Sequence, residues 1–155
     1  MEKKVNNAFN IETAFRHKAE RGWQTLYVAV DLHGTLIKPG HDCIEFYPSA
    51  IEVMKWFNRR DDFKVILWTS SHNKEISEFL DAAKREGISI DFVNENPLEA
   101  NSKRACFDDK FYFNILLDDK AGFVGETDWT LIARILENVT GDKILNKIPP
   151  FLNQE

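Results

Sequence analysis

Three short segments of this chain place acids, hydroxyls and a lysine directly after apolar runs. Asp31-Leu32-His33-Gly34-Thr35 follows Tyr27-Val28-Ala29-Val30, Thr69-Ser70-Ser71 follows Val65-Ile66-Leu67-Trp68, and Asp118-Asp119-Lys120 follows Ile115-Leu116-Leu117. Lys110 stands shortly before the last run. Asp31 and Asp118 are hard oxygen ligands of the kind that hold Mg²⁺, which takes one or two carboxylates together with waters and a phosphate oxygen. A carboxylate beside such an ion can attack phosphorus and form an aspartyl-phosphate. Thr69, Lys110 and loop N–H groups would neutralise the equatorial oxygens in the transition state. The chemistry these residue types support is phosphoryl transfer.

That chemistry requires the segments to meet, and the pattern of elements says how. Residues 10–21 carry Ile11, Ala14, Phe15, Lys18 and Ala19 at helical spacing behind Asn10, and Gly22 ends the run. Residues 25–32 form a continuous apolar run with the length of a buried strand. Ser49-Ala50-Ile51-Glu52 has the form of a capping box and opens a helix with Ala50, Val53, Met54 and Phe57 on one face. Residues 63–68 read as a second strand and residues 73–86 as a helix with Ile76, Phe79, Leu80 and Ala83 inward, stopped at Gly87. A short strand over 88–93, a fourth over 111–117 and a last helix over 127–140 follow, the helix with Leu131, Ile132, Ile135 and Val139 inward. Strands separated by helices imply parallel pairing with right-handed crossovers. The expected fold is α/β, a three-layer sandwich around a central parallel, Rossmann-like sheet. Ligands of such sheets gather at the carboxyl ends of the strands, where Asp31, Thr69 and Asp118 stand.

Composition bounds the remaining possibilities. The 155 residues suit a single domain over 1–155, with a core at about 25–140, an N-terminal helix and an irregular tail over 142–155. Twelve Phe and four Trp can fill a core, which argues against disorder. No apolar run approaches the roughly 20 residues of a membrane helix, and Met1-Glu2-Lys3-Lys4 does not lead into the apolar stretch of a secretory signal. The net charge of −5, with scattered Lys and Arg, argues against a nucleic-acid partner. Cys43 and Cys106 form no CxxC, so a reduced, cytoplasmic protein is expected.

The ordered segments resemble the motifs of the haloacid dehalogenase (HAD) superfamily, in particular its small bacterial and phage members. Tyr27 to Thr35 matches an apolar strand followed by Asp-x-Asp-Gly-Thr, except that His33 replaces the second Asp. Val65 to Ser70 matches the strand ending in Thr or Ser, Ile115 to Asp119 the strand ending in paired Asp, and Lys110 the lysine before that strand, with Lys103 as a rival. Val93-Asn94-Glu95-Asn96-Pro97 is also similar to the small members. The resemblance covers residues 25–139. It implies that Asp31 is the nucleophile and a Mg²⁺ ligand, that position 33 gives its backbone carbonyl to the metal, and that Asp118 is a direct ligand with Asp119 behind it. It further implies that Thr69, Ser70 and Lys110 bind the phosphoryl group of a phosphorylated substrate.

His33 is the departure. In phosphatases of the family the second Asp is the general acid and base, and histidine can do both jobs near neutrality. The resemblance therefore implies a Mg²⁺-dependent phosphohydrolase. A binding or regulatory module that keeps the metal and phosphate site without efficient turnover is the other class. The gaps where the family inserts cap domains, residues 36–47 and 97–109, are each too short to fold alone. A capless site suits a large substrate or a lid borrowed from a second subunit in a homo-oligomer. Elsewhere the bland readings hold: Asp108-Asp109 as a solvated turn, His41-Asp42-Cys43 as no metal site, His17 and His72 as surface residues, Trp56 and Trp129 as packing residues, and Cys106 as a small buried residue.

Overall fold

The computed structural model describes residues 7–40, 42–97 and 105–145. His41, Lys103 and the tail past residue 145 lie outside the described residues. Helix α1, Ile11–Arg21, precedes strand β1, Leu26–Val30, and the chain continues through α2, Ala50–Arg59, β2, Phe63–Leu67, α3, Asn73–Arg85, β3, Phe92–Val93, β4, Ile115–Leu117, and α4, Gly125–Thr140. All four strands are parallel, in the order β3-β2-β1-β4. Helices flank the sheet, giving the Rossmann-like α/β architecture expected. No helix among the described residues is long and apolar enough to cross a membrane.

β1 is central, and all five of its residues are buried. Such side chains each contribute roughly 1.5–3 kcal/mol on burial, which is why this run reads as continuous rather than alternating. Trp56 and Trp129 are buried in the core, the packing role expected of them.

The elements depart from the sequence pattern at four places. Ser49 does not cap α2: it holds a left-handed backbone (φ 66°) and its hydroxyl meets Thr130 Oγ1 at 2.9 Å, so the Ser49–Glu52 box is not made. The reciprocal bond is found at α3, where Glu75 Oε2 accepts from the His72 N–H at 3.0 Å. β3 is confined to two residues because Asp91 meets β2 with its side chain as well as its backbone: Asp91 Oδ2 accepts from Val65 N–H at 2.8 Å. β4 starts at Ile115 because Asn96 holds the preceding segment as a loop, donating to the carbonyls of Phe107 and Lys110 and accepting from the Tyr112 N–H. Cys106, in that loop, is exposed and not buried. In α4 the buried face is Trp129, Ile132, Ala133, Ile135 and Leu136, while Val139 is exposed. The indole of Trp129 sets that rotation by donating to the Thr35 carbonyl at 2.7 Å.

Candidate functional site

The chain runs β1 to β2 to β3 in one direction and then returns to place β4 on the other side of β1. The reversal falls between β1 and β4, and crevices at such switch points take ligands. Asp31 leaves β1 there, its N–H donating to Leu117 of β4 at 2.9 Å. Asp118 and Asp119 leave β4. The three carboxylates offer oxygens that all lie within 4.8 Å of one another.

A buried threonine organises the cluster. Thr35 is fully enclosed; its Oγ1 donates to Asp31 Oδ2 at 3.3 Å and accepts from the Asp119 N–H at 3.0 Å. One hydroxyl thus couples the loop after β1 to the turn after β4. Gly34 makes room for it. Its φ of +80° is in the left-handed region that favours glycine, and a Cβ there would stand 2.9 Å from Asp119 Oδ2. Asp118 closes its own turn by accepting from the Lys120 N–H at 2.9 Å.

A cleft of about 520 Å³ opens over these strand ends, lined by Asp31, Trp68, Thr69, Ser70, Asn94, Asp118 and Lys120. Asn94 locks its far wall: its amide accepts from the Thr69 N–H and donates to the Thr69 carbonyl, at 2.8 and 2.9 Å. Asp31, Asp118, Thr69 and Ser70 are therefore brought together on one cleft, with Asp119 in the carboxylate cluster. His33 is placed beside it. His33 lines a neighbouring cavity of about 140 Å³, and its Nδ1 meets Ser71 Oγ at 3.0 Å. Ser71 Oγ in turn accepts from Thr69 Oγ1 at 2.9 Å, which links the ring to the cleft wall. Lys110 is exposed and is not among the residues lining the cleft, because the Asn96 bonds hold its segment as a surface loop. The lysine on the cleft is Lys120, which directly follows the acidic pair, and not Lys110. Asn94 and Trp68 also line the cleft, and Thr35 and Asn94 act through hydrogen bonds that no spacing rule announces.

Electrostatics mark Asp31. Burial pushes its carboxyl up, the Leu32 N–H partly offsets this, and the negative charges of Asp118 and Asp119 push it further, to about 6. The folded chain therefore keeps a proton on Asp31 that the unfolded chain releases near pH 4. Without metal, stability is expected to fall as pH rises from about 4 to about 6. Asp31→Asn removes that repulsion and is expected to stabilise the metal-free protein at pH 7 by on the order of 1 kcal/mol, discounted for solvent screening at this half-exposed group. The gain should vanish below pH 4. Melting curves in EDTA across this range check it, and no gain at pH 7 would mean that the carboxylates do not crowd one another.

Comparisons with known proteins show the fold. No protein-family profile matches the chain. No curated protein matches it. A conserved protein from Bacteroides thetaiotaomicron is structurally similar, with a TM-score of 0.58 and 21% identity over 75% of this chain and 93% of that one. The likeness is one of architecture.

The carboxylate cluster suits a divalent cation by its chemistry. It concentrates three anionic oxygen donors, and among the described residues no lysine or arginine is ion-paired to them. Hard oxygen donors of this kind suit Mg²⁺.

Proposed function

We propose that this chain is a Mg²⁺-dependent phosphohydrolase that cleaves phosphomonoesters through an aspartyl-phosphate on Asp31. The observation that carries the reading is the meeting of Asp31, Asp118 and Asp119, with oxygens within 4.8 Å, at the switch point of a parallel sheet and on a cleft that also holds Thr69, Ser70 and Lys120. The ordered HAD-like motifs supply the same acids and hydroxyls, with Lys120 on the cleft where the resemblance implies Lys110. Asp31, Asp118 and Asp119 are the residues that would hold Mg²⁺, which when bound would draw charge from the phosphoryl oxygens.

The chain's own groups divide the remaining work. One Asp31 oxygen is steadied by the Thr35 hydroxyl, and the other attacks phosphorus as the bond to the leaving oxygen breaks. Thr69, Ser70 and Lys120 surround the phosphoryl oxygens and balance their charge. His33 gives a proton to the leaving oxygen, then takes one from the water that attacks the aspartyl-phosphate. As the bond from phosphorus to Asp31 breaks, inorganic phosphate leaves and the Asp31 carboxylate is regenerated. With Nδ1 engaged by Ser71, Nε2 is the nitrogen available for that transfer.

A second reading is favoured by one observation: His33 lines the cavity beside the cleft and not the cleft itself. On that reading the chain binds metal and phosphate as a regulatory module. Hydrolysis of an aryl phosphate, with and without Mg²⁺, separates the two.

The metal assignment has its own test. Asp118→Asn is expected to weaken Mg²⁺ binding at least tenfold by calorimetry, on the scale of losing a ligand or its orienting partner. Unchanged affinity would remove Asp118 from the site.

A further inference from the structure

We propose that Trp68, backed by Phe111, is a platform for a flat aromatic ring on the leaving group, so that the cleft takes phosphomonoesters of nucleosides or of other planar aromatic alcohols. This rests on the phosphohydrolase reading of the same cleft.

The juxtaposition follows from strand register. Val30 pairs with Leu67, so Asp31 and Trp68 are the next residues on adjacent parallel strands. The Trp68 N–H donates to the Val30 carbonyl at 2.9 Å, continuing the ladder by one step. Neighbouring strands lie about 4.8 Å apart, so carboxylate and indole stand next to each other, and both line the cleft.

The indole is held in place yet left open. Phe111 stacks on it with ring centroids 3.7 Å apart and planes 16° from parallel, and Phe113 tilts against Phe111 at 6.0 Å. Unlike the core indoles of Trp56 and Trp129, Trp68 is 38% exposed, and Phe113 is 39% exposed. Leaving such rings partly in water forgoes the burial that the rest of the core obtains, and an aromatic side chain on a cleft wall is what small-molecule sites commonly present. Phe111 takes one face of the indole, and Trp68 itself lines the cleft. The backbone beside it is fixed by the Asn94–Thr69 pair of bonds, so little order is lost when a ring settles there.

The cleft thus has two chemically distinct, adjoining parts. The carboxylates and Lys120 suit a metal-bound phosphoryl group, and Trp68 suits a π-face. Its volume of about 520 Å³ falls within the roughly 300–1,000 Å³ of small-molecule sites. Stacking of a base on an aromatic side chain is worth about 5- to 150-fold in affinity, and it is indifferent to base identity because every base has a π-face.

The test compares kcat/KM with Mg²⁺ for AMP, phenyl phosphate and glycerol 3-phosphate. The native protein should favour at least one aromatic ester over glycerol 3-phosphate by tenfold or more. AMP ahead of phenyl phosphate identifies a nucleoside, and the reverse order an aryl ester. Trp68→Ala should bring the aromatic preference close to unity through KM, and Trp68→Phe should keep most of it. A native protein without that preference, or a preference untouched by Trp68→Ala, overturns the platform while leaving the phosphohydrolase reading in place. No turnover of any ester overturns that reading instead. The platform is then judged by AMP binding to the Asp31→Asn protein: weakening of fivefold or more on adding Trp68→Ala supports it, and unchanged affinity overturns it.

Discussion

Asp31→Asn is expected to lower aryl-phosphate turnover by about 10⁴-fold or more, the scale on which an enzyme loses its covalent nucleophile. The amide keeps the shape that Thr35 holds but cannot attack phosphorus. The melting curve of the same protein separates this loss from a loss of folding, since the change is expected to raise metal-free stability at pH 7. Phosphoryl mimics give a second readout. Tetrafluoroaluminate, beryllofluoride or vanadate with Mg²⁺ should raise the melting temperature of the native protein. A ligand at 100 times its Kd adds about 2.7 kcal/mol by mass action, which is about 5–10 °C for a domain of this size. Asp31→Ala should lose most of that shift. Equal turnover, or an equal shift in both proteins, would mean that Asp31 is not the nucleophile.

His33 carries the second large effect. His33→Ala is expected to lower turnover by about 10²- to 10⁴-fold, the usual worth of a positioned general acid and base, while Mg²⁺ binding persists because the three carboxylates remain. The limb of the native pH–rate profile that His33 carries should disappear with it. Ser71→Ala, which frees Nδ1, should lower kcat more than it raises KM. His33→Asp tests the same role from the other side: if the histidine is the working acid, this change lowers turnover too. A rise in turnover would show a sound site that lacks only its acid, and identical trace activity in all these proteins at every pH would favour the regulatory module.

Much of the arrangement was legible from the chain alone. The apolar run before Asp31 announced a strand buried on both faces, since only burial makes five consecutive apolar residues useful. The alternation of such runs with amphipathic segments announced a parallel sheet, and with it the edge on which Asp31, Thr69 and Asp118 stand. Their meeting follows from chain topology, which local pattern controls well. What lay beyond the sequence depends on hydrogen bonds between residues far apart in the chain. Asn96 turns the expected beginning of β4 into a loop and carries Lys110 and Cys106 to the surface. Thr130 draws Ser49 away from the cap its spacing suggested. Ser71 turns His33 toward the cavity beside the cleft, and Phe111, 43 positions from Trp68 in the numbering, stacks on it to leave an aromatic wall next to Asp31. Periodicity and motif order report which residues face inward and which end a strand. Which of two lysines reaches the cleft, and which way one imidazole points, is decided by side-chain partners that only the folded chain brings within 3 Å or so.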